Sequence, residues 1–479
     1  MDQYERDEIV RTFAAFMQEC VNDAQLESGG AGPQLTAVLA AHLGADPRTL
    51  PVVTFDVANH QFVNLDVALE LVAERGGGSR VIGVGGGDQR HHLSFGDLVQ
   101  HGRWHQFPVA TPERVNLPAG PDVRRQAVAY GVRLFRFEGA PVAVLQRQSK
   151  PQFGRGSAAI EVLAGEGVAD PLIAQVRQTM VEHSVFRGQV LTLGGSDEAF
   201  VPGVGGISFY HRPRLTAGDL VLPPGALHRI ERHVVGAARH RDLLRAAGQH
   251  LKRGLLIYGP PGTGKTHTVR YLLSTVTDVT TVVLSGTSLR FVGEAAELAV
   301  ALQPALVVLE DVDLVAEHRD LHHDPQPLLF TLLEAMDGLA SDADVAFLLT
   351  TNRPDLLEPA LAQRPGRVDL AVEIPLPDLP AREALMRLYA RALPLSGEAL
   401  REAARRSDGT TASFARELMR RTTLIAAELG RPITDDDLGS ALGELLDDRE
   451  TLTRSLLGST PTPMPATAPR VDVDRGAPE

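Results

Sequence analysis

An α/β domain followed by a purely helical segment, and preceded by an α+β, β-rich region, is the fold class this sequence predicts. Three observations predict it. An apolar run at 254–258 breaks into a glycine loop and then a helical pattern, and strands and helices go on alternating to about residue 376, the order that yields a largely parallel sheet covered by helices. Residues 381–393 and 413–429 then carry helical periodicity alone, within a stretch that runs to 447. Between about 50 and 215 the pattern is strand-like and rich in glycine.

The chain begins Met1-Asp2-Gln3-Tyr4-Glu5-Arg6-Asp7-Glu8, charged from the start, which does not suit a secretory leader. In residues 4–27, Ile9, Phe13, Phe16, Met17, Val21 and Ala24 recur at helical spacing before the Ser28-Gly29-Gly30 breaker. They predict an amphipathic helix that buries its apolar face within its own domain. Strands follow at 52–57 and 132–137, the latter turning at Glu138-Gly139 into 142–145 as a hairpin, and another at 189–193. Gly76-Gly77-Gly78 and Gly85-Gly86-Gly87 lack the ordered strand-to-helix context of a dinucleotide loop and read as plain loops. Arg124, Arg125, Arg133 and Arg136 read as a solvated strand face. The expected domains are 1–48, a helical segment; 49–218, a β-rich substrate or adaptor domain; 219–378, the α/β domain; 379–450, helical; and 451–479, a Pro/Ala-rich tail whose composition buries no core.

Composition narrows the class. The 479 residues are 43 % hydrophobic and 22 % charged, ordinary globular usage. The only cysteine, Cys20, excludes an internal disulfide framework and suits a reducing compartment. A net charge of −13 argues against a dedicated nucleic-acid binder, and no run of 18 apolar residues marks a membrane span. A cytoplasmic protein without a membrane span is the expectation.

The chemistry is concentrated after residue 254. Gly259-Pro260-Pro261-Gly262-Thr263-Gly264-Lys265-Thr266 stands between an apolar strand and a helix that begins near His267. Glycines there let successive backbone N–H groups turn inward around phosphate oxygens, at a helix N-terminus that carries partial positive charge. Lys265 is placed to reach the outer phosphates of a nucleotide and Thr266 to ligate Mg2+. A second buried strand, 305–309, delivers Glu310 and Asp311 at its C-terminal end, with Asp313 just beyond. One carboxylate suits the metal shell and the next suits activation of a water. The tract Glu317-His318-Arg319-Asp320-Leu321-His322-His323-Asp324 has helical metal-ligand spacing at His318 and His322 but no cysteine partner, and reads as a solvated loop.

These motifs, with Met336-Asp337-Gly338-Leu339, Thr350-Thr351-Asn352-Arg353-Pro354 and Arg364-Pro365-Gly366-Arg367, occur in the order and at the spacing of AAA-family ATPases, and the resemblance covers 219–430. It implies a P-loop NTPase α/β domain with a C-terminal α-helical lid, ATP and Mg2+ as ligands, and a homo-oligomeric ring, usually a hexamer. In that resemblance Asn352 takes the sensor position that orients the lytic water. Arg364 and Arg367 take the places of fingers acting on the neighbouring subunit's nucleotide, and by register Glu310 takes the metal role and Asp311 the water-activating role. The family's common order is Asp-Glu; a mitochondrial branch that assembles a respiratory complex is similar to this chain in having the order swapped. Phe291-Val292-Gly293, between strand and helix, matches the pore loop with which protein-remodelling members grip a polypeptide, so a protein substrate or adaptor is the expected partner. Two rival readings remain at this stage: a nucleic-acid motor or loader, and a nucleotide-gated scaffold with little turnover.

Overall fold

The computed structural model describes residues 33–100, 107–194, 206–313, 342–355 and 368–447, with Glu334, Met336, Gly338 and Ala340. The expected helix at 4–27, the histidine tract at 317–324 and the tail lie outside the described residues. Two compact units are distinguished, one of residues up to 211 with 277–284 and 290–307, the other of 212–276, 285–289 and 308 onward.

The first sheet contains β1 (Val52–Val57), β2 (Arg80–Val84), β3 (Val109–Ala110), β4 (Glu113–Pro118), β5 (Arg124–Phe137), β6 (Ala140–Arg147) and β7 (Ala158–Leu163). Their order is β1-β7-β6-β5-β2-β3, with β4 on β5. The β5–β6 hairpin forms where the alternation foretold it. Its two turn residues, Glu138 and Gly139, have φ of 49° and 85°, the left-handed pair whose twist matches that of the strands. Helix α1 (Leu35–Leu43) is packed on this sheet through Leu35, Leu39 and Leu43, beside Val132, Leu134 and Leu145, so residues 33–48 belong to this core and are not a separate segment. Arg133 corrects the reading of a solvated strand face. It is 5 % exposed, because helix α2 (Phe62–Arg75) supplies Asp66, whose Oδ1 meets Arg133 Nη2 at 2.5 Å. Arg125 reaches the other oxygen of Asp66 at 2.8 Å. Helix α3 (Ala169–Glu182) lies against α2.

The second sheet contains β8 (Val190–Leu193), β9 (Ile207–Tyr210), β10 (Arg253–Tyr258), β11 (Thr280–Ser285), β12 (Ala305–Glu310), β13 (Val345–Thr351) and β14 (Leu370–Glu373) in the order β14-β10-β13-β12-β11-β8-β9. β10 runs parallel to both β13 and β14, and β8 parallel to β11. β8 and β9, which precede the expected boundary at 218/219, pair in this sheet. Val190 and Leu191 are 1 % and 0 % exposed; an apolar strand buries itself by joining a sheet, and nothing in its own sequence says which one. β13 is buried along its whole length, as a strand covered on both faces must be.

Helices α4 (Lys265–Thr275) and α5 (Val292–Ala301) follow strands of this sheet. Then α6 (Leu379–Tyr389), α7 (Gly397–Arg406), α8 (Ala412–Glu428) and α9 (Asp435–Leu446) enclose their own core of Leu385, Met386, Leu400, Phe414, Leu418 and Leu442. Their starts are written in the sequence: Asp378, Ser396 and Thr411 cap α6, α7 and α8 by accepting backbone N–H groups, and Thr434 with Asp437 forms a capping box for α9. Among the described residues, no helix is long and apolar enough to cross a membrane.

Candidate active site

Strand β10 ends at Tyr258 and the chain turns at Gly259, Gly262 and Gly264, with φ of 147°, 75° and 113°. A Cβ on Gly259 would lie 2.1 Å from the carbonyl oxygen of Ile374, so only glycine passes beneath the end of β14. Pro260 and Pro261 stiffen the loop, and Thr263 Oγ1 ties back to the Pro260 carbonyl at 2.9 Å. Lys265 opens α4 and is 5 % exposed. Its Nζ donates to the carbonyls of Gly259 and Pro260 at 2.7 and 2.9 Å. Burial pushes its pKa down, and the carboxylates of Asp311 and Asp313 push back.

Glu310, the last residue of β12, accepts a hydrogen bond from Thr266, while its Oε1 is buried with no hydrogen-bond partner among the described residues. Burial raises its pKa, and Asp311 adds to the rise. A hydroxyl beside a carboxylate with an unpartnered oxygen is the hard-oxygen donor set that Mg2+ takes, so these residues fit that ion.

Asp311 lies in the left-handed region, at φ 51°. Its N–H donates to Thr350 Oγ1 at 2.9 Å, and the next N–H, of Val312, to the Thr350 carbonyl at 3.0 Å. Asp is among the few side chains that visit this region readily, which gives the swapped Glu310-Asp311 order a backbone reason. Burial raises the pKa of Asp311, with Asp313 contributing; Lys265 and a hydrogen bond from Asn352 oppose the shift. Asp313, which the sequence left without a role, is 5 % exposed. It accepts from Thr351 Oγ1 at 2.9 Å, from the Asn352 N–H at 3.1 Å and from Asn352 Nδ2 at 3.2 Å. The signal for it was a third acidic residue at the end of a buried strand.

Two further elements close on the loop. Ser413, in the first turn of α8, donates its N–H to the Gly262 carbonyl at 3.1 Å. The ring of His267 is engaged with the carbonyl of Asp219 at 3.1 Å, and Asp219's carboxylate pairs with Arg391 at 2.8 Å. A cavity of about 360 Å3 adjoins the loop at Thr263 and is lined by Val221, Leu222, Ile374, Pro375 and Leu385; an apolar slot of this size accepts a planar base.

The structure thus brings together the 259–266 loop, Glu310, Asp311 and Asn352. Phe291 is half-buried at the end of a 3-10 turn, with the Arg290 guanidinium 4.7 Å from its ring centroid. Val292 and Gly293 lie in α5, and Val292 is 1 % exposed. The expected open loop is therefore a turn running into a helix, because Val292 continues the apolar face of Ala295, Ala296 and Ala299. Arg364 and Arg367 lie outside the described residues.

Residues 255–376 match the family described as ATPase family associated with various cellular activities (AAA). Among curated relatives, the proteasome-activating nucleotidase of Thermococcus kodakarensis is 28 % identical over 270 residues, covering 53 % of this chain and 68 % of the relative. That of Methanocaldococcus jannaschii is 29 % identical over 255 residues, 50 % and 59 % of the two chains. The ATP-dependent zinc metalloprotease FtsH 4 of Sphaerobacter thermophilus is 32 % identical over 305 residues, covering 59 % of this chain and 45 % of the relative.

Proposed function

We propose that this chain, whose residues 255–376 match the AAA ATPase family, works as a homo-oligomeric ring, a hexamer, that couples MgATP hydrolysis to the unfolding or remodelling of protein substrates. The observation that carries the reading is the convergence of Lys265, Glu310, Asp311 and Asn352 on one glycine loop. Backbone N–H groups of 262–266 cradle the phosphates, Lys265 exchanges its loop carbonyls for β- and γ-phosphate oxygens, and the apolar slot beside Thr263 takes the base. Thr266 and Glu310 would hold Mg2+, which when bound would supply neutralisation of phosphate charge. Asp311 accepts a proton from the attacking water, and Asn352 orients that water. Arg364 and Arg367 reach the neighbouring subunit's γ-phosphate, a contribution worth about 10³–10⁵ in rate where such fingers act. Phe291 grips the substrate, since an aromatic ring holds many sequences by area.

The relatives named as proteasome-activating nucleotidases support a role beside a separate proteolytic partner. The decisive experiment is steady-state ATP hydrolysis by the parent, Lys265→Ala and Asp311→Asn chains: turnover in the parent and its loss in both variants is expected, and a parent without turnover would overturn the reading in favour of a scaffold. Phe291→Ala is expected to retain basal hydrolysis and to lose processing of an unfolded test protein; unchanged processing removes the gripping role.

A further inference from the structure

We propose that Asp313 is a positioning residue for hydrolysis: it fixes the side-chain amide of Asn352 in one orientation, its NH2 edge turned to two carboxylates and its Oδ1 turned to the attacking water. The inference rests on the ATPase reading and deepens it.

An ionised carboxylate only accepts hydrogen bonds, whereas an amide has one donating end and one accepting end. Asn352 Nδ2 meets Asp313 Oδ2 at 3.2 Å, and the carboxylate of Asp311 takes a hydrogen bond from the same side chain. Turning the amide over would set Oδ1 against both carboxylates, so the chemistry assigns the orientation. Asp313 is itself held: Thr351 Oγ1 and the Asn352 N–H both donate to its Oδ1, at 2.9 and 3.1 Å, and it is 5 % exposed. With its NH2 spent on carboxylates, Asn352 acts as an acceptor. A water beside this pair gives one proton to Asp311 and has its second held by Asn352 Oδ1. In this chain Asn352 therefore orients water and donates nothing to the γ-phosphate.

Asp313→Asn separates this role from a structural one. The new side chain keeps an oxygen for Thr351 Oγ1 and the Asn352 N–H, so the fastening of the loop survives. Its NH2 opposes that of Asn352 and turns the amide over. The expected result is a loss of tenfold or more in turnover at saturating MgATP, with the Kd for a fluorescent nucleotide and the Tm unchanged. Thr351→Val removes the bond to Asp313 Oδ1 and the one that Thr351 Oγ1 accepts from the Arg353 N–H, both 2.9 Å; it is expected to lower Tm, with a smaller loss of turnover than Asp313→Asn. Because Asp313 acts through Asn352, adding Asp313→Asn to Asn352→Ala should lower turnover no further than Asn352→Ala alone. Turnover of Asp313→Asn within twofold of the parent, losses of turnover and Tm that run in step across both single variants, or multiplicative losses in the double variant would each overturn the proposal. A parent that does not hydrolyse ATP overturns the ATPase reading itself, which separates the two failures.

Discussion

Asp311 shows how a local backbone demand selects a catalytic side chain. At φ 51° a residue with a short polar side chain pays little, and a longer one pays more. Asp311→Glu, which restores the common order at that position, is expected to lower stability by up to about 1 kcal/mol, read as a fall in the denaturation midpoint. Asp311→Asn keeps the tolerance for this conformation and is expected to bind ATP with unchanged Tm while losing hydrolysis. Glu310 makes the complementary case. Its folded pKa is raised, chiefly by burial, so the folded state holds its proton more tightly than the unfolded chain, and stability is lost as pH rises through the unfolded carboxyl value toward the folded one. Glu310→Gln removes that loss. In Mg2+-free buffer at pH 7 its Tm should equal or exceed the parent's, while the extra stabilisation that MgATP gives the parent disappears; a variant that still gains it would refute the metal role. The glycine loop, Glu310 and Asp311 could be singled out in the sequence as spacings with a chemical reason, and Asn352 through the family resemblance. Asp313 was not assigned, because its work is done on another side chain and leaves no spacing rule.

At the scale of elements, specific contacts among the described residues fasten the helical segment to the loop. Asp219 is held at a pKa of about 2, first by the Thr216 N–H and then by Arg391. That lies below the ordinary carboxylate value, so its contribution is complete above about pH 4 and is lost as pH falls through about 2. Asp219→Asn should therefore have a lower Tm than the parent at neutral pH, with the gap closing between pH 4 and 2. Thr411 caps α8 directly before Ser413 reaches Gly262, and Thr411→Ala is expected to cost about 1 kcal/mol in chemical denaturation. The hairpin and the helix starts could be read from local rules, since turns and caps are decided by neighbours in sequence. Arg133 and the strand at 190–193 could not: an alternating arginine looks solvated until α2 brings Asp66 to it, and a strand's sheet is chosen by tertiary pairing.

At the scale of the whole molecule, the proposed ring makes each site depend on two copies of the chain. Mixing Arg364→Ala/Arg367→Ala subunits with Lys265→Ala subunits is expected to restore part of the hydrolysis that neither has alone, because some interfaces then pair an intact loop with intact fingers; confirmed co-assembly without rescue would exclude shared sites. The route by which such a ring moves is set by one small region. The Ile374 N–H bonds the Tyr258 carbonyl at 2.8 Å, its own carbonyl leaves no room for a side chain at 259, and the chain then runs Pro375-Leu376-Pro377-Asp378-Leu379-Pro380 into α6. Proline fixes φ at each of its three positions here, so this connection has the stiffness of a crank and little of the slack of a tether. Motion of the four helices within 379–446 is therefore expected to be felt at the phosphate cradle, and inserting flexible glycines after Pro375 should uncouple the two while sparing both ends.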